Sequence, residues 1–93
     1  MRTEQIETLT GNGLVRLSDR YTPVRYVIRV FQEFAGSAPT LKSATGGMNL
    51  PAGDVARAMM DQKPVELELE DGRKAMILFT ELDGVFTVTG PLG

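Results

Sequence analysis

The last third of the chain alternates apolar and polar residues in three short runs. The stretch from Val65 to Thr89 reads VELELEDGRKAMILFTELDGVFTVT, and its runs are separated by Asp71-Gly72 and Asp83-Gly84. A short Asp-Gly turn between alternating runs is the strongest local signal for a β-hairpin. The pattern therefore predicts a three-stranded antiparallel meander.

The first turn of the meander can be built in two ways, and the choice decides which residues share a face. A two-residue turn at Asp71-Gly72 places Leu69 opposite Lys74, whereas a type I turn with a G1 bulge at the glycine places Leu69 opposite Arg73. Because a one-residue change in loop length moves side chains to the other face, only one of these turns fits the rest of the pattern. We favour the bulged turn.

The second turn supports that choice. A two-residue loop at Asp83-Gly84 pairs Phe79 with Val88, which places both on the face that the bulged first turn directs inward. The middle run is also apolar on its other face, at Met76 and Leu78. We therefore expect the helix or the N-terminal segment to cover that face. Met76 and Leu78 are also a candidate interface with a partner. The predicted core of the meander is Val65, Leu67, Leu69, Ala75, Ile77, Phe79, Phe86 and Val88.

Further strands are predicted upstream. The segments Thr8 to Leu17 and Val24 to Phe34 carry β-branched and aromatic residues, and residues 11–13 (Gly-Asn-Gly) suggest a bulge or sharp bend in the first. Residues 35–40 read as a loop, and residues 41–50 as a weaker strand. The pair Gly46-Gly47 in that strand indicates a bend or a close approach of backbone or ligand.

A short helix is predicted at about residues 54–61, with Asp54 as its N-cap and Val55 and Met59 on its apolar face. Residues 1–7 and 90–93 are polar or Gly/Pro-rich and are expected to fray. Several short strands with Gly and Pro turns favour an all-β domain, a small antiparallel barrel or rolled sheet of five or six strands covering residues 1–93.

Composition narrows the function classes. The 93 residues suit a single domain, and the absence of His and Cys removes imidazole bases, thiol nucleophiles and zinc-thiolate sites. We therefore expect no enzymatic activity, no cofactor and no metal. The glutamates Glu66, Glu68 and Glu70 alternate along one strand, so their carboxylates point outward in parallel and do not converge on a cation. We expect them to form a solvated face. A net charge of −2 argues against a DNA-binding protein, and no apolar run is long enough for a membrane span. A cytoplasmic location is the expectation.

The arginines are the main candidates for a site. Arg25 and Arg29 lie on one face of the same predicted strand, and Arg16 and Arg20 flank the preceding turn. Guanidinium groups can form paired hydrogen bonds with phosphate. The alternative is that Arg25 and Arg29 form cross-strand ion pairs with carboxylates such as Glu33 or the Glu66 and Glu68 row.

Two short motifs resemble those of PilZ domains, which are small β-barrels that bind cyclic di-GMP. Residues 16–20, RLSDR, have the RxxxR spacing, and residues 43–46, SATG, match the SxxG half of the D/NxSxxG motif. The resemblance covers about ten positions and implies that Arg16 and Arg20 hold phosphates while Ser43 and Gly46 line the guanine side. Leu41 stands where the pattern has Asp or Asn, which leaves the implied pocket incomplete.

Two functional hypotheses follow. The first is a non-catalytic interaction module that self-associates or binds a protein partner through a strand edge or the Met76 and Leu78 face. The second is a barrel that binds a phosphate-rich small molecule through the four arginines, with Ser43 and Gly46 as further contacts.

Overall fold

The described part of the chain forms six strands and one helix in the computed structural model, which describes residues 1–18 and 20–90. The strands close into an antiparallel barrel, and the predicted all-β architecture is confirmed. The elements are β1 (Arg2–Leu17), β2 (Arg20–Ala35), β3 (Ala38–Met48), α1 (Ala52–Met60), β4 (Val65–Glu68), β5 (Lys74–Phe79) and β6 (Val85–Val88). Their order around the barrel is β1-β2-β3-β6-β5-β4, so β1 and β4 form the closing contact.

The first turn of the meander has the bulged geometry that the alternation predicts. Leu69 and Arg73 lie opposite each other, with the Leu69 amide donating to the Arg73 carbonyl at 2.7 Å. Gly72 has a φ of 92°, a conformation that favours glycine, and its amide donates to the Leu69 carbonyl at 2.9 Å. The turn therefore directs Leu69 and Ala75 into the core, where both are buried.

The second turn differs from the prediction. Phe79 lies opposite Phe86, and Val88 lies opposite Ile77, so the predicted pairing of Phe79 with Val88 is wrong by two residues. The connection is a four-residue loop over residues 81–84, in which the Gly84 amide donates to the carbonyl of residue 81 at 3.3 Å. A two-residue shift leaves every side chain on its predicted face. The predicted core is therefore intact, with Val65 and Val88 partly buried against it.

The aromatic pair at the centre of the meander shows how this register is stabilised. The rings of Phe79 and Phe86 meet edge to face, with centroids 6.3 Å apart and planes at 86°. Such pairs add to the free energy of burial because the positive ring edge meets the negative ring face. The inward face of β2 completes the core with residues predicted to share one face, and all are buried: Val24, Tyr26, Ile28 and Val30.

The strand β1 is longer and more regular than expected. Residues 2–7, predicted to fray, pair with β2, and the register shift lies between Gln5 and Glu7 and not at the predicted glycines. Gly13 stays in register opposite Val24 and is needed for a different reason: a Cβ there would overlap the carbonyl oxygen of Glu68. Glycine thus allows β1 to approach β4 where the barrel closes.

The connection from β2 to β3 is also tighter than predicted. The predicted loop over residues 35–40 is wrong in extent, because Ala35 pairs directly with Ala38 and only two residues separate the strands. Gly36 has a φ of 66°, which permits a two-residue hairpin turn. Residues 38–40 therefore extend β3 toward its N-terminus.

The helix begins earlier than predicted. Its N-cap is Pro51, and the amides of Asp54 and Val55 both donate to the Pro51 carbonyl, at 3.0 and 3.1 Å. Asp54 therefore lies in the first turn and is not the N-cap, although a carboxylate there still complements the helix dipole. Val55 and Ala58 are buried in the same cluster as the strand residues.

Three strands continue beyond the closed barrel. Within the described residues, β1 pairs with β4 only at Leu14 and Val15, and β3 pairs with β6 only at residues 45–47. Residues 2–5 of β1, 31–35 of β2 and 38–43 of β3 therefore pair only with one another among the described residues, and we call this three-stranded extension the arm. Its outer strands are solvent-exposed, and the molecule measures 44 × 26 × 18 Å. The predicted frayed segment 90–93 lies mostly outside the described residues.

Candidate functional site

The structure separates Arg16 from Arg20. In the β1–β2 hairpin, Arg16 lies opposite Tyr21 while Arg20 lies opposite Leu17, so the two arginines are one position out of phase and on opposite faces of the sheet. The Arg16 guanidinium lies 6.0 Å from the ring centre of Tyr21. The Tyr21 hydroxyl in turn donates to a carboxylate oxygen of Glu66 at 3.2 Å. The phosphate clamp that the PilZ resemblance implies is therefore not formed by these two residues.

Arg20 lies at a different location, a cleft of about 290 Å³ between the β1–β2 hairpin and α1. The helix contributes Asp54 and Arg57 to this cleft, and Asp61 at the C-cap of the helix also lines it. The mixed charges give it no preference for an anion.

Ser43 and Gly46 are also separated, because three positions along a strand place them on opposite faces. Ser43 is exposed opposite Phe31, and it lines a cleft of about 530 Å³ together with Lys42 and Arg73. Gly46 faces inward, where a Cβ would overlap the carbonyl oxygen of Val27. Its backbone reaches the outer surface, but the need for glycine at this position is structural.

Arg25 and Arg29 are brought together in one groove, as predicted from their strand positions. The groove has a volume of about 510 Å³ and lies on the outside of β2, β3 and β6. Val27 lies between the two arginines, and Gly47 and Val85 follow it in register across β3 and β6. A band of apolar surface therefore separates two cationic ends.

Neutral hydrogen-bonding residues flank each arginine. Arg29 lies between Thr8 on β1 and Thr45 on β3. Arg25 lies between Asn12 on β1 and Asn49, whose side-chain oxygen accepts a hydrogen bond from the Arg25 amide at 2.8 Å. That bond leaves the Asn49 side-chain NH₂ free to donate. Each end of the groove thus combines one guanidinium with neighbouring hydroxyl or amide groups.

The alternative of cross-strand ion pairing is not found for these arginines. Among the described residues, the ion pairs with N···O distances up to 4.0 Å are Arg2 with Glu4, Arg73 with Asp71 and Lys74 with Glu66. Glu33 and the Glu66 and Glu68 row therefore do not neutralise Arg25 or Arg29 in the described part of the chain. The groove is accordingly a cationic feature on a protein of net charge −2.

Gly47 differs from its neighbour Gly46 because the surrounding structure leaves room for a side chain at Gly47. A Cβ at Gly47 would point into open space, and its nearest atom would be the carbonyl oxygen of Gly84 at 4.0 Å. Its φ is not in the positive region that favours glycine. Packing within the barrel therefore does not require glycine at the floor of the groove.

The Met76 and Leu78 face lies on β5 and is only partly covered. Met76 is 43% exposed and Leu78 is half-buried opposite Thr87. The helix contacts β5, whereas the N-terminal segment, the other predicted cover, pairs with β2 in the arm. This face remains a candidate interface.

Neither a cluster of metal-binding side chains nor a membrane-spanning helix is found within the residues that the structure describes. They contain no group of three or more acidic side chains arranged to hold a metal ion. In the same residues, the helix is too short and too polar to cross a membrane.

The register across strands was the information that the sequence lacked. Local patterns did not identify Thr45 and Asn49 as groove residues, because only strand pairing places them beside an arginine. The same holds for Thr8 and Asn12, which lie beside the arginines on β1. Comparison of the chain with protein-family models, curated proteins and solved structures gave no significant match.

Proposed function

We propose that the protein is a non-catalytic interaction module that self-associates through the arm. The observation that supports this proposal is the edge of β1, where residues 2–10 pair with β2 on one side and no described residue pairs with them on the other. An open strand edge presents unpaired N–H and C=O groups that can pair with another strand. The cytoplasmic location stays a prediction.

The two edges of the arm are not equivalent. On β3, Pro39 provides no amide hydrogen, a register shift interrupts pairing near it, and Lys42 adds a charge. Proline, irregular register and lysine are the usual features that prevent edge pairing. The β1 edge shares two of these features, a register shift next to Ile6 and the charges of Arg2, Glu4 and Glu7, but it contains no proline, and the Ile6 side chain is 47% exposed. The β1 edge is therefore the better docking site.

A second copy of the chain is the proposed partner. Two β1 edges that pair antiparallel about a twofold axis bring Arg2 of each copy toward the Glu4 and Glu7 end of the other. Opposite charges near each other across strands favour pairing, and twofold dimers are the commonest homo-oligomers. The pairing would also extend two three-stranded arms into one six-stranded sheet.

Sedimentation velocity over a concentration series tests this function. We expect a reversible dimer for the wild type and a monomer for Ile6→Lys, because the new charge lies at the dimer edge. Leu41→Lys is the matched control: Leu41 is 60% exposed on the β3 edge, so its substitution should leave the dimer intact. A wild-type monomer throughout, or equal effects of the two substitutions, would refute self-association through β1. Disruption by Met76→Lys alone would instead assign the interface to β5.

The groove favours a second candidate function, the binding of a phosphate-rich small molecule. Of the four predicted arginine contacts, Arg25 and Arg29 line the same groove, one at each end, so the proposal is confined to these two. Ligand at 100 times its Kd would stabilise the fold by about 2.7 kcal/mol. A panel of mononucleotides and cyclic dinucleotides that leaves the unfolding midpoint unchanged would rule this function out.

A further inference from the structure

The groove has a composition that restricts the shape of its ligand. Its two ends carry Arg25 and Arg29, four residues apart on β2, which separates their Cα atoms by about 13 Å. The middle of the groove is the row formed by Val27, Gly47 and Val85. The ends suit anions. The middle is a flat apolar surface, because none of these three residues has a side chain that can form a hydrogen bond.

From this arrangement, and resting on the second proposed function, we propose that the groove binds a molecule carrying two phosphoryl groups and a flat ring, with the ring lying over Gly47. Each phosphoryl group meets one guanidinium, which can donate two parallel hydrogen bonds to it. Thr45 and Asn49 supply neutral donors at the two ends.

Gly47 is the residue that carries this inference. Its missing side chain leaves a gap between Val27 and Val85 that none of the described residues fills. Glycine in the interior of a strand weakens that strand, and it often marks a site where a ligand approaches the backbone closely. A ring over the gap would contact the backbone of β3 and the two valines, burying apolar surface between the bound phosphoryl groups.

The test compares two ligands by isothermal titration calorimetry at low salt: a 5′-phosphorylated dinucleotide, which carries two phosphoryl groups and flat bases, and inorganic pyrophosphate, which carries no ring. We expect Gly47→Val to weaken dinucleotide binding at least tenfold and to leave pyrophosphate binding unchanged. Arg29→Gln should weaken binding of the dinucleotide, and the double substitution Arg25→Gln with Arg29→Gln should weaken binding of both ligands, because pyrophosphate is short enough to bind at either arginine alone. The control Arg16→Gln removes a positive charge outside the groove and should weaken neither by more than twofold.

Gly47→Val is expected to fold, because its Cβ enters open space and a β-branched residue suits a strand. An unfolding midpoint at or above that of the wild type will verify this. If neither ligand binds the wild type, the ligand-binding function itself is refuted. If ligands bind but Gly47→Val weakens both equally or neither, ligand binding stands and the role of Gly47 is overturned.

Discussion

Gly46→Ala and Gly47→Ala form a matched pair of substitutions that tests the packing of the barrel. The two residues are adjacent on β3 and face opposite sides of the sheet. A Cβ at Gly46 would overlap the carbonyl oxygen of Val27 and lie 3.0 Å from the ring of Phe86. A Cβ at Gly47 would meet no atom closer than 4.0 Å.

The two substitutions are expected to change the free energy of unfolding in different directions. Both substitutions remove the conformational freedom of glycine from the unfolded chain, which alone stabilises by about 0.4–1 kcal/mol. Gly46→Ala must in addition displace the β2 backbone at Val27 and crowds the Phe86 ring, and overpacking of a dense core costs about 1–3 kcal/mol. In a domain of this size, 1 kcal/mol shifts Tm by about 4–8 °C. We therefore expect Gly46→Ala to lower Tm and Gly47→Ala to leave it unchanged or raise it.

Thermal unfolding followed by circular dichroism measures both values, and urea titration shows whether unfolding is two-state. The measurement should be made at a concentration where all three proteins have the same oligomeric state, because association shifts Tm. Equal midpoints for the two variants, or a larger loss for Gly47→Ala, would show that β2 and β3 do not approach each other as described.

Two further predictions concern the meander. The Arg73 amide and guanidinium donate hydrogen bonds to the Asp71 carboxylate and hold its pKa below the ordinary 3.8. The ionised carboxylate therefore stabilises the fold above pH 3.8, and this stabilisation is lost as the pH falls through the lowered pKa. The difference in Tm between wild type and Asp71→Asn should shrink over that pH range, and a carbon-detected NMR titration should give the lowered pKa. Ile77→Ala removes a fully buried side chain and should lower the free energy of unfolding, measured by urea titration, by about 2–5 kcal/mol. The neighbouring Met76 is 43% exposed, so Met76→Ala should lower that free energy by less than about 1 kcal/mol. Similar losses for the two substitutions would contradict the assigned faces.

The amino-acid sequence by itself determined the faces of the strands. Alternation with a period of two placed Leu67, Ile77 and Phe86 inside, and the structure buries all three completely. The turn at Gly72 was predictable for the same reason, because only one of two loop geometries kept Leu69 and Ala75 on a common face. These features depend on neighbours along the chain, and local stereochemistry is sufficient to predict them.

Tertiary structure alone decided the register between strands. Phe79 could pair with Val88 or Phe86 without any change in burial, since a shift of two residues preserves the face, and the loop length that chooses between them was not evident locally. The candidate site depends on the same choice. The face of Arg25 and Arg29 followed from the sequence, but their neighbours across the sheet follow from hydrogen bonds between residues distant along the chain. The separation of Arg16 from Arg20 follows from the register of the β1–β2 hairpin, where Leu17 pairs with Arg20, and the residue types in the turn did not reveal that register.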